Sequence, residues 1–360
     1  MKSIAWGAKT AQSKLERMEI DRPDPKDTEV VIEVLYAGVC HSDIHQVKNE
    51  WKNIVYPCIP GHEVVGRVKS VGTRTSRFKE GDMVGVGCMI DSCRSCEPCK
   101  EGDQNYCEGP NGWLATYNGP MTPATQTEDG QNMYGRDNTF GGYSDMIVVP
   151  EDFVLALPEG LDPKSAAPIL CAGVTTWSPM QHWGVEKGDH VAVLGLGGLG
   201  HMAVKLAKAL GCEVTVLTSS QDKLADAKTF GADHAVIETD KTALADYVGT
   251  FDFILSTVPE KHEVGALLDL LKRDGQFVVV GNLDVIDGVD NSKMAFKRQS
   301  IAGSLIGGLP ETQDVLNFCA ANDIAPEVEM IDIADINDAY VKIENGEVRY
   351  RYVIDMQSLK

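Results

Sequence analysis

The stretch from His190 to Gly211, HVAVLGLGGLGHMAVKLAKALG, constrains this chain more than any other. The apolar run HVAVL leads into Gly195-Leu-Gly197-Gly198-Leu-Gly200, and an apolar-periodic segment follows and stops at Gly211. A strand, a glycine turn and a helix form the context that gives G-x-G-x-x-G its meaning. Gly195 permits a tight turn, Gly197 lets backbone approach a pyrophosphate, and Gly200 lets helix and strand pack closely. Phosphates then sit at the helix N-terminus, where amide donors and the dipole favour negative charge. The bland alternative is a glycine-rich strand-to-helix turn with no ligand.

The rhythm continues beyond Gly211. EVTVLTSS (213–220), ADHAVI (232–237), FDFILST (251–257) and GQFVVVG (275–281) read as strands, with helices at 224–231 and 263–273. Short apolar strands alternating with helices predict an α/β, doubly wound parallel sheet of the Rossmann kind. An NAD site usually ends its second strand with an acid that bonds the ribose 2′-hydroxyl. Thr218-Ser219-Ser220 stands there instead, with Lys223 close behind. Hydroxyls and a lysine suit a 2′-phosphate, and the missing carboxylate removes repulsion against it. NADP(H) is therefore expected over NAD(H); the alternative is a site that takes both.

The first 150 or so residues have a different grain. EVVIEVLYAGVC (29–40), EVVGRVKSVG (63–72) and DMVGVG (82–87) are short β-branched runs between turn signals. Residues 116–138 are the most loop-like, and the tail after about 300 mixes short strands with a helix. Three segments result: a mainly β part at 1–156, a nucleotide part at 157–297, and a return to the first part at 298–360. A chain of 360 residues is long enough for two cores.

The net charge of −20 repels phosphate backbones, so nucleic acid is not an expected partner. No basic cluster is present to meet anionic lipid, and the apolar stretch at 190–211 is broken by glycines, lysines and a histidine. The opening MKSIAWGAKTAQ has no apolar signal region, so a reducing cytoplasm is expected. There, clustered cysteines mean metal or catalysis.

Cys93, Cys96, Cys99 and Cys107 are such a cluster, spaced C-x2-C-x2-C-x7-C. Four thiolates this close suit a closed structural zinc site. An iron–sulfur cluster is the rival, although no Pro follows the last cysteine and no second set of that kind exists. Disulfides are the third reading. Of the other six cysteines, Cys40 lies in GVCHSDIH, and Cys171 follows AAPIL. His62 lies in PGHE. No spacing links these three, so by themselves they are only candidates.

GVCHSDIH (38–45), YPCIPGHEVVGRV (56–68), the four-cysteine lobe, FGGYSDMIVV (140–149), AAPILCAGVTTW (166–177), GLGGLGHMAVKLAKALG (195–211) and GSLIGG (303–308) resemble the zinc-dependent medium-chain alcohol dehydrogenases. Within them the likeness is to the cinnamyl alcohol dehydrogenase branch, and it covers nearly the whole chain in family order. It implies a GroES-like catalytic domain carrying the zinc lobe, and two zincs per chain. Cys40, His62 and Cys171 would hold the catalytic zinc, with water or substrate in the open position. Glu63 would lie beside the metal, either as a transient ligand or as a plain hydrogen-bonding carboxylate. Asp43 would accept the free N–H of His62.

The same resemblance gives Ser42 the proton handed to the substrate oxygen and His45 the link to solvent, while His41 matches no catalytic position. It places Thr175, Gly198, Leu199, Thr257, Val280, Gly281, Ser304 and Ile306 along the cofactor, with Gly195, Gly197, Gly200, Thr218, Ser219, Ser220 and Lys223. Trp51, Trp113, Leu305 and Ile306 would line an apolar pocket, though each Trp also reads as ordinary core. Cys58, Cys88, Cys212 and Cys319 are expected as packing residues.

The implied reaction is reversible reduction of aldehydes, aromatic, allylic or medium-chain aliphatic, to primary alcohols. Within enzymes the alternatives are a polyol or secondary-alcohol dehydrogenase, or reduction of a conjugated double bond. The non-enzyme alternative is a zinc- and nucleotide-binding redox sensor. A homodimer, or a tetramer, is the implied assembly, through an exposed strand near 303–308.

Overall fold

The computed structural model describes residues 1–110, 112–119, 138–281, 285–286 and 289–359, so most of the loop-like stretch at 116–138 lies outside it. The chain divides into two compact units, Met1–Cys171 with Gly307–Lys360, and Ala172–Ile306. The junctions read from sequence were 156/157 and 297/298. The later first junction has a packing reason: the helix Pro163–Pro168 lies on strands of the first unit.

The first unit is built around the strand Glu29–Gly38. Its residues are almost continuously buried because it pairs with three neighbours: Val64–Val71, Met146–Pro150 and Arg351–Asp355. The sheet runs Val328–Asp332, Arg351–Asp355, Glu29–Gly38, Val64–Val71, Met83–Val86, Leu155–Ala156, with Met146–Pro150 paired off that path to Glu29–Gly38. Its pairs are antiparallel except the first. Register breaks at Val31/Ile32 and Val34/Tyr36 bend the central strand. A small pair, Met89–Asp91 with Leu114–Ala115, brackets the cysteine lobe.

The second unit is the expected parallel sheet. Its strand order is His234–Ile237, Glu213–Thr218, His190–Leu194, Phe251–Ser256, Leu271–Val279, Ser300–Gly303. Every pair is parallel. Numbered along the unit this is 3-2-1-4-5-6, the dinucleotide-binding order, which reverses beside His190–Leu194. Leu194, Leu217, Ile254, Phe251 and Phe277 fill one core, each such side chain contributing about 1.5–3 kcal/mol on burial.

One expected helix is not there. Residues 263–273 form only a 3-10 turn, Leu267–Leu270, and Leu271 begins the next strand. Val264, Leu267, Leu268 and Leu271 have helical spacing, but all face the sheet core together with Leu270. The carbonyls of Asp269 and Leu270 accept hydrogen bonds from Gly249 and Thr250, and Leu271 pairs with Phe251. Those cross-chain partners replace the i+4 amides that a helix would need.

Candidate metal centre and active site

Cys40 follows the strand Glu29–Gly38 and caps the short helix His41–Val47. His62 and Glu63 immediately precede the strand Val64–Val71. Cys171 lies in a π-helical turn, Ile169–Gly173, a feature that recurs at functional sites. These segments bring the donor atoms of Cys40, His62, Glu63 and Cys171 within 4.8 Å of one another, all buried. Two thiols and an imidazole match the Cys₂His set of catalytic zinc. Glu63 Oε2 is buried with no hydrogen-bond partner among the described residues, so the pocket has acceptor capacity left for a cation. The donor set therefore fits zinc.

Protonation in the cluster is uneven. Hydrogen bonding from Cys171 pulls the Cys40 thiol well below its usual range, and the same bond pushes Cys171 well above it. Burial opposes charging His62, yet Asp43, Cys88 and Cys40 together outweigh it and the imidazole is raised. Glu63 is raised by burial, against the opposing pull of Arg351. Arg351 is buried and ion-paired to Glu63, so the carboxylate has one oxygen paired and one free. Gly38 makes room for it, since a methyl there would lie 1.9 Å from Glu63 Oε2.

Asp43 is fully buried and its four acceptor sites are filled. Oδ1 accepts from Gly61 N at 3.1 Å and from His62 Nδ1 at 3.0 Å. Oδ2 accepts from Cys40 N at 3.0 Å and from the Tyr143 hydroxyl at 3.3 Å. The bond to Cys40 N is a capping-box contact, with the acid at the third helical position reaching back. With Nδ1 held by Asp43, Nε2 is the nitrogen His62 has left for a metal.

Ser42 Oγ lies 3.7 Å from Cys40 Sγ, half-buried beside the cluster. His45 is one turn further, stacked on His41 at 5.0 Å and near the Trp51 ring at 5.8 Å. Its Nδ1 is hydrogen-bonded to the exposed Glu50. Sequence reasoning missed Glu50; the only available signal was an acid five residues after His45. It also missed Tyr143 and Arg351, whose partners lie 100 and 288 residues away. Trp113 is half-buried in the same unit, whereas Leu305 and Ile306 belong to the second.

In the second unit Gly195 has φ +87°, and a methyl on Gly200 would lie 2.1 Å from Gly195 O. A methyl on Gly197 would meet nothing within 4 Å, so the turn is open there. The helix Gly200–Ala209 begins directly after it, with Leu199 as its cap and Gly198 half-buried before it. The Thr257 hydroxyl bonds Leu194 O and Gly195 O at 3.0 and 3.1 Å, which commits it to holding the turn. Gly281 packs so closely on Thr257 that a methyl would come within 2.4 Å of its carbonyl carbon. Thr175 Oγ1 is buried without a partner among the described residues, which suits a cofactor donor or acceptor.

Thr218 is buried and accepts from Ser220 N at 3.2 Å, while Ser219 is exposed and Ser220 and Lys223 are half-buried. Val280 and Ser304 are half-buried, with Ser304 N bonded to Val279 O. Ile306 has φ +44°, a conformation β-branched residues avoid. The open Gly197 turn, the unpartnered Thr175 hydroxyl and the hydroxyl-rich end of Glu213–Thr218 fit a phosphorylated dinucleotide.

The four-cysteine lobe closes on itself. Cys93, Cys96, Cys99 and Cys107 place their sulfurs within 4.8 Å of one another. The Cys93–Cys99 and Cys96–Cys107 separations are both 3.9 Å. Four sulfurs about 2.3 Å from one ion would be about 3.8 Å apart, and a disulfide would need about 2.0 Å. This is the spacing of a one-ion site, tighter than a multi-iron cluster allows. Backbone amides of Cys93, Cys96, Glu108 and Gly109 point at the sulfurs at 3.3–3.4 Å. Burial raises Cys107 to about 12, while amide donors from Ser95 and Cys96 overcome burial and bring Cys93 to about 5.

All ten cysteines are free. Cys58, Cys212 and Cys319 are buried, as expected of packing residues. Cys88 is only half-buried, and its hydrogen bond is one cause of the raised Cys171 thiol.

Residues 26–159 match the alcohol dehydrogenase GroES-like domain, and residues 198–321 the zinc-binding dehydrogenase family. The chain is 46% identical to aldehyde reductase YahK of Escherichia coli, over 100% of this chain and 99% of that protein. It superposes with a TM-score of 0.92 on cinnamyl alcohol dehydrogenase SbCAD4 from Sorghum bicolor, at 40% identity, covering 99% of this chain and 98% of that one. A second structure, CAD from Helicobacter pylori complexed with NADP(H), gives 0.89 at 36% identity, covering 99% of each chain. The chain belongs to the zinc-dependent medium-chain alcohol dehydrogenases, in their cinnamyl alcohol dehydrogenase branch.

Proposed function

We propose that this protein catalyses the reversible, NADP(H)-dependent reduction of aldehydes to primary alcohols, with one zinc at Cys40, His62 and Cys171 and a second in the lobe at 93–107. The observation that carries the reading is the buried convergence of those three donors beside the unpaired oxygen of Glu63. The relatives include an aldehyde reductase and an NADP(H)-complexed CAD. When bound, zinc supplies a Lewis acid that polarises the carbonyl oxygen, and NADPH supplies the hydride.

The chain's own residues do the rest. Asp43 fixes the tautomer and plane of His62. Ser42 delivers a proton to the substrate oxygen in reduction and takes it back in oxidation. His45 passes that proton to or from solvent, held in one tautomer by Glu50. Arg351 pairs with Glu63 and keeps its charge from standing alone in the buried cluster. The 2′-phosphate is read by Ser219, Ser220 and Lys223, with Thr218 shaping the end of the strand. In the first unit Trp51 and Trp113 offer aromatic surface to a substrate tail, which suits aromatic and medium-chain aldehydes.

The strand Ser300–Gly303 ends its sheet, and Phe296 just before it is 91% exposed. These features support a homodimer formed through that edge, and ten free cysteines suit a reducing cytoplasm. The test is a panel of aldehydes assayed with NADPH and with NADH, alongside metal content. Turnover of cinnamyl and medium-chain aldehydes with NADPH, and two zincs per chain, are expected. No activity with any aldehyde would overturn the function, an NADH preference the cofactor assignment, and a single zinc the second site.

A further inference from the structure

We propose that Tyr143 is a positioning residue of the reaction, acting through Asp43 on the His62 imidazole. The inference rests on the reading of Cys40, His62 and Cys171 as a zinc site. Asp43 is the only carboxylate bonded to His62, and Tyr143 is its only side-chain donor besides His62 among the described residues. Two backbone amides supply the other two bonds, to Cys40 and Gly61. Without the phenol one acceptor site of a fully buried carboxylate is left empty, and the carboxylate gains freedom to turn away from the imidazole.

Tyr143 is built to stay where it is. The loop that carries it is stitched to the loop that carries His62: Gly141 N, Gly142 N and Tyr143 N donate to Ile59 O, Gly61 O and Pro60 O at 2.8, 2.8 and 3.0 Å. Arg22 holds the same loop from the other side, donating to Phe140 O, Gly141 O and Ser144 Oγ. Gly61 has φ +100°, and a methyl on it would lie 2.6 Å from the Tyr143 ring. The ring therefore rests on the α-carbon next to His62, and its position and that of the imidazole are set by one backbone clasp. Burial, and then the Asp43 charge, hold the Tyr143 phenol well above its ordinary range. It remains a donor at every working pH.

A second buried tyrosine near Asp43, Tyr340, provides a control. Its hydroxyl interacts with that of Tyr143 and makes no hydrogen bond to Asp43 among the described residues. Removing it takes away a hydroxyl of the same kind without changing the acceptor count of Asp43.

The test is Tyr143→Phe in the intact enzyme, which keeps the ring and removes only the donor. Cobalt(II) titration reads the site without any turnover, because the visible bands of a Cys₂His set differ from those of a four-cysteine set. Losing a partner hydrogen-bonded to a metal ligand costs 10–100-fold in metal affinity or activity. Tyr143 is one bond further out, so a loss of about 3- to 10-fold in cobalt affinity at the Cys₂His site, with shifted bands, is expected. kcat should fall by a similar factor with the KM for NADPH unchanged, and Tyr340→Phe, which leaves the Tyr143–Asp43 bond in place, should lose clearly less than Tyr143→Phe.

In an Asp43→Asn background the same substitution should change cobalt affinity by less than about twofold, because the pathway is already cut. Unchanged bands and affinity in Tyr143→Phe, or an equal loss in both backgrounds, would overturn the inference and leave Tyr143 a packing residue. A wild-type protein with no Cys₂His cobalt bands would overturn the reading of the site itself, and this inference with it.

Discussion

Two glycines of one turn should give opposite signatures when each receives a methyl. In Gly200→Ala the new carbon would lie 2.1 Å from Gly195 O and 3.0 Å from its carbonyl carbon. Neither atom is the end of a flexible side chain, so helix and turn must move apart. Overpacking of this kind costs about 1–3 kcal/mol, and backbone against backbone belongs at the upper end, about 2–3 kcal/mol. For a domain of this size class, about 2–4 °C of melting temperature is lost per kcal/mol, so a fall of about 4–12 °C is expected without ligand.

In Gly197→Ala the methyl meets no protein atom within 4 Å. The ligand-free melting temperature should stay level or rise slightly, by the equivalent of up to about 1 kcal/mol, because alanine reduces the freedom of the unfolded chain. The methyl instead occupies the space through which the pyrophosphate would approach. A clash of about 1–3 kcal/mol there weakens NADPH binding by roughly 5- to 150-fold. Thermal melts with and without NADPH measure both effects in one experiment. A ligand-free Gly197→Ala protein as destabilised as Gly200→Ala, or one that binds NADPH like wild type, would refute the reasoning.

Removing Cys99 should cost more than about 2 kcal/mol of stability and one zinc, with activity lost only as a consequence; removing Cys40 should abolish turnover in a protein that melts near wild type. Arg351→Met leaves Glu63 buried without its partner and should destabilise by about 3–5 kcal/mol in chemical denaturation, part of which Glu63→Gln recovers in the double variant. In zinc-stripped protein, burial raises Glu63 from its ordinary 4.5 to about 7. The folded state then binds that proton more tightly than the unfolded state does. Its contribution to stability is fully present below about 4.5 and lost as pH rises through about 7. The urea midpoint of the stripped protein should fall between about pH 5 and about pH 8, and a rise over that interval would contradict the sign.

The nucleotide unit was legible because its information is local. Gly195, Gly197 and Gly200 sit within six residues of one strand-turn-helix, and the tightest contact among them, Gly200 against Gly195 O, lies inside it. The lobe at 93–107 was legible for the same reason. The candidate metal set was not: Cys40, His62 and Cys171 share no spacing, and only a family resemblance brought them together before the structure did. Asp43 with Tyr143, and Glu63 with Arg351, lie further from local pattern still, because each pair forms only when separate strands and loops pack. The segment 263–273 misled for a related reason. Its leucines have helical periodicity, but the partners that decide its conformation, Gly249, Thr250 and Phe251, belong to the turn and strand that precede it.

The two cysteine-bearing sites also differ in when they can exist. Every ligand of the lobe lies from Cys93 to Cys107, so it closes over a sequence separation of 14. The other site cannot be completed until Cys171 has been synthesised and the long connection back to Cys40 has closed. Local closure is fast and distant closure slow, and chains emerge N-terminus first. On the two-zinc reading, the lobe captures its ion while the nucleotide unit is still being made, and the reactive site is the last to load. A cell short of zinc would then accumulate a half-metallated enzyme of one particular kind, with the lobe filled and the chemistry waiting. Adding zinc to such material after purification should restore turnover without a refolding step.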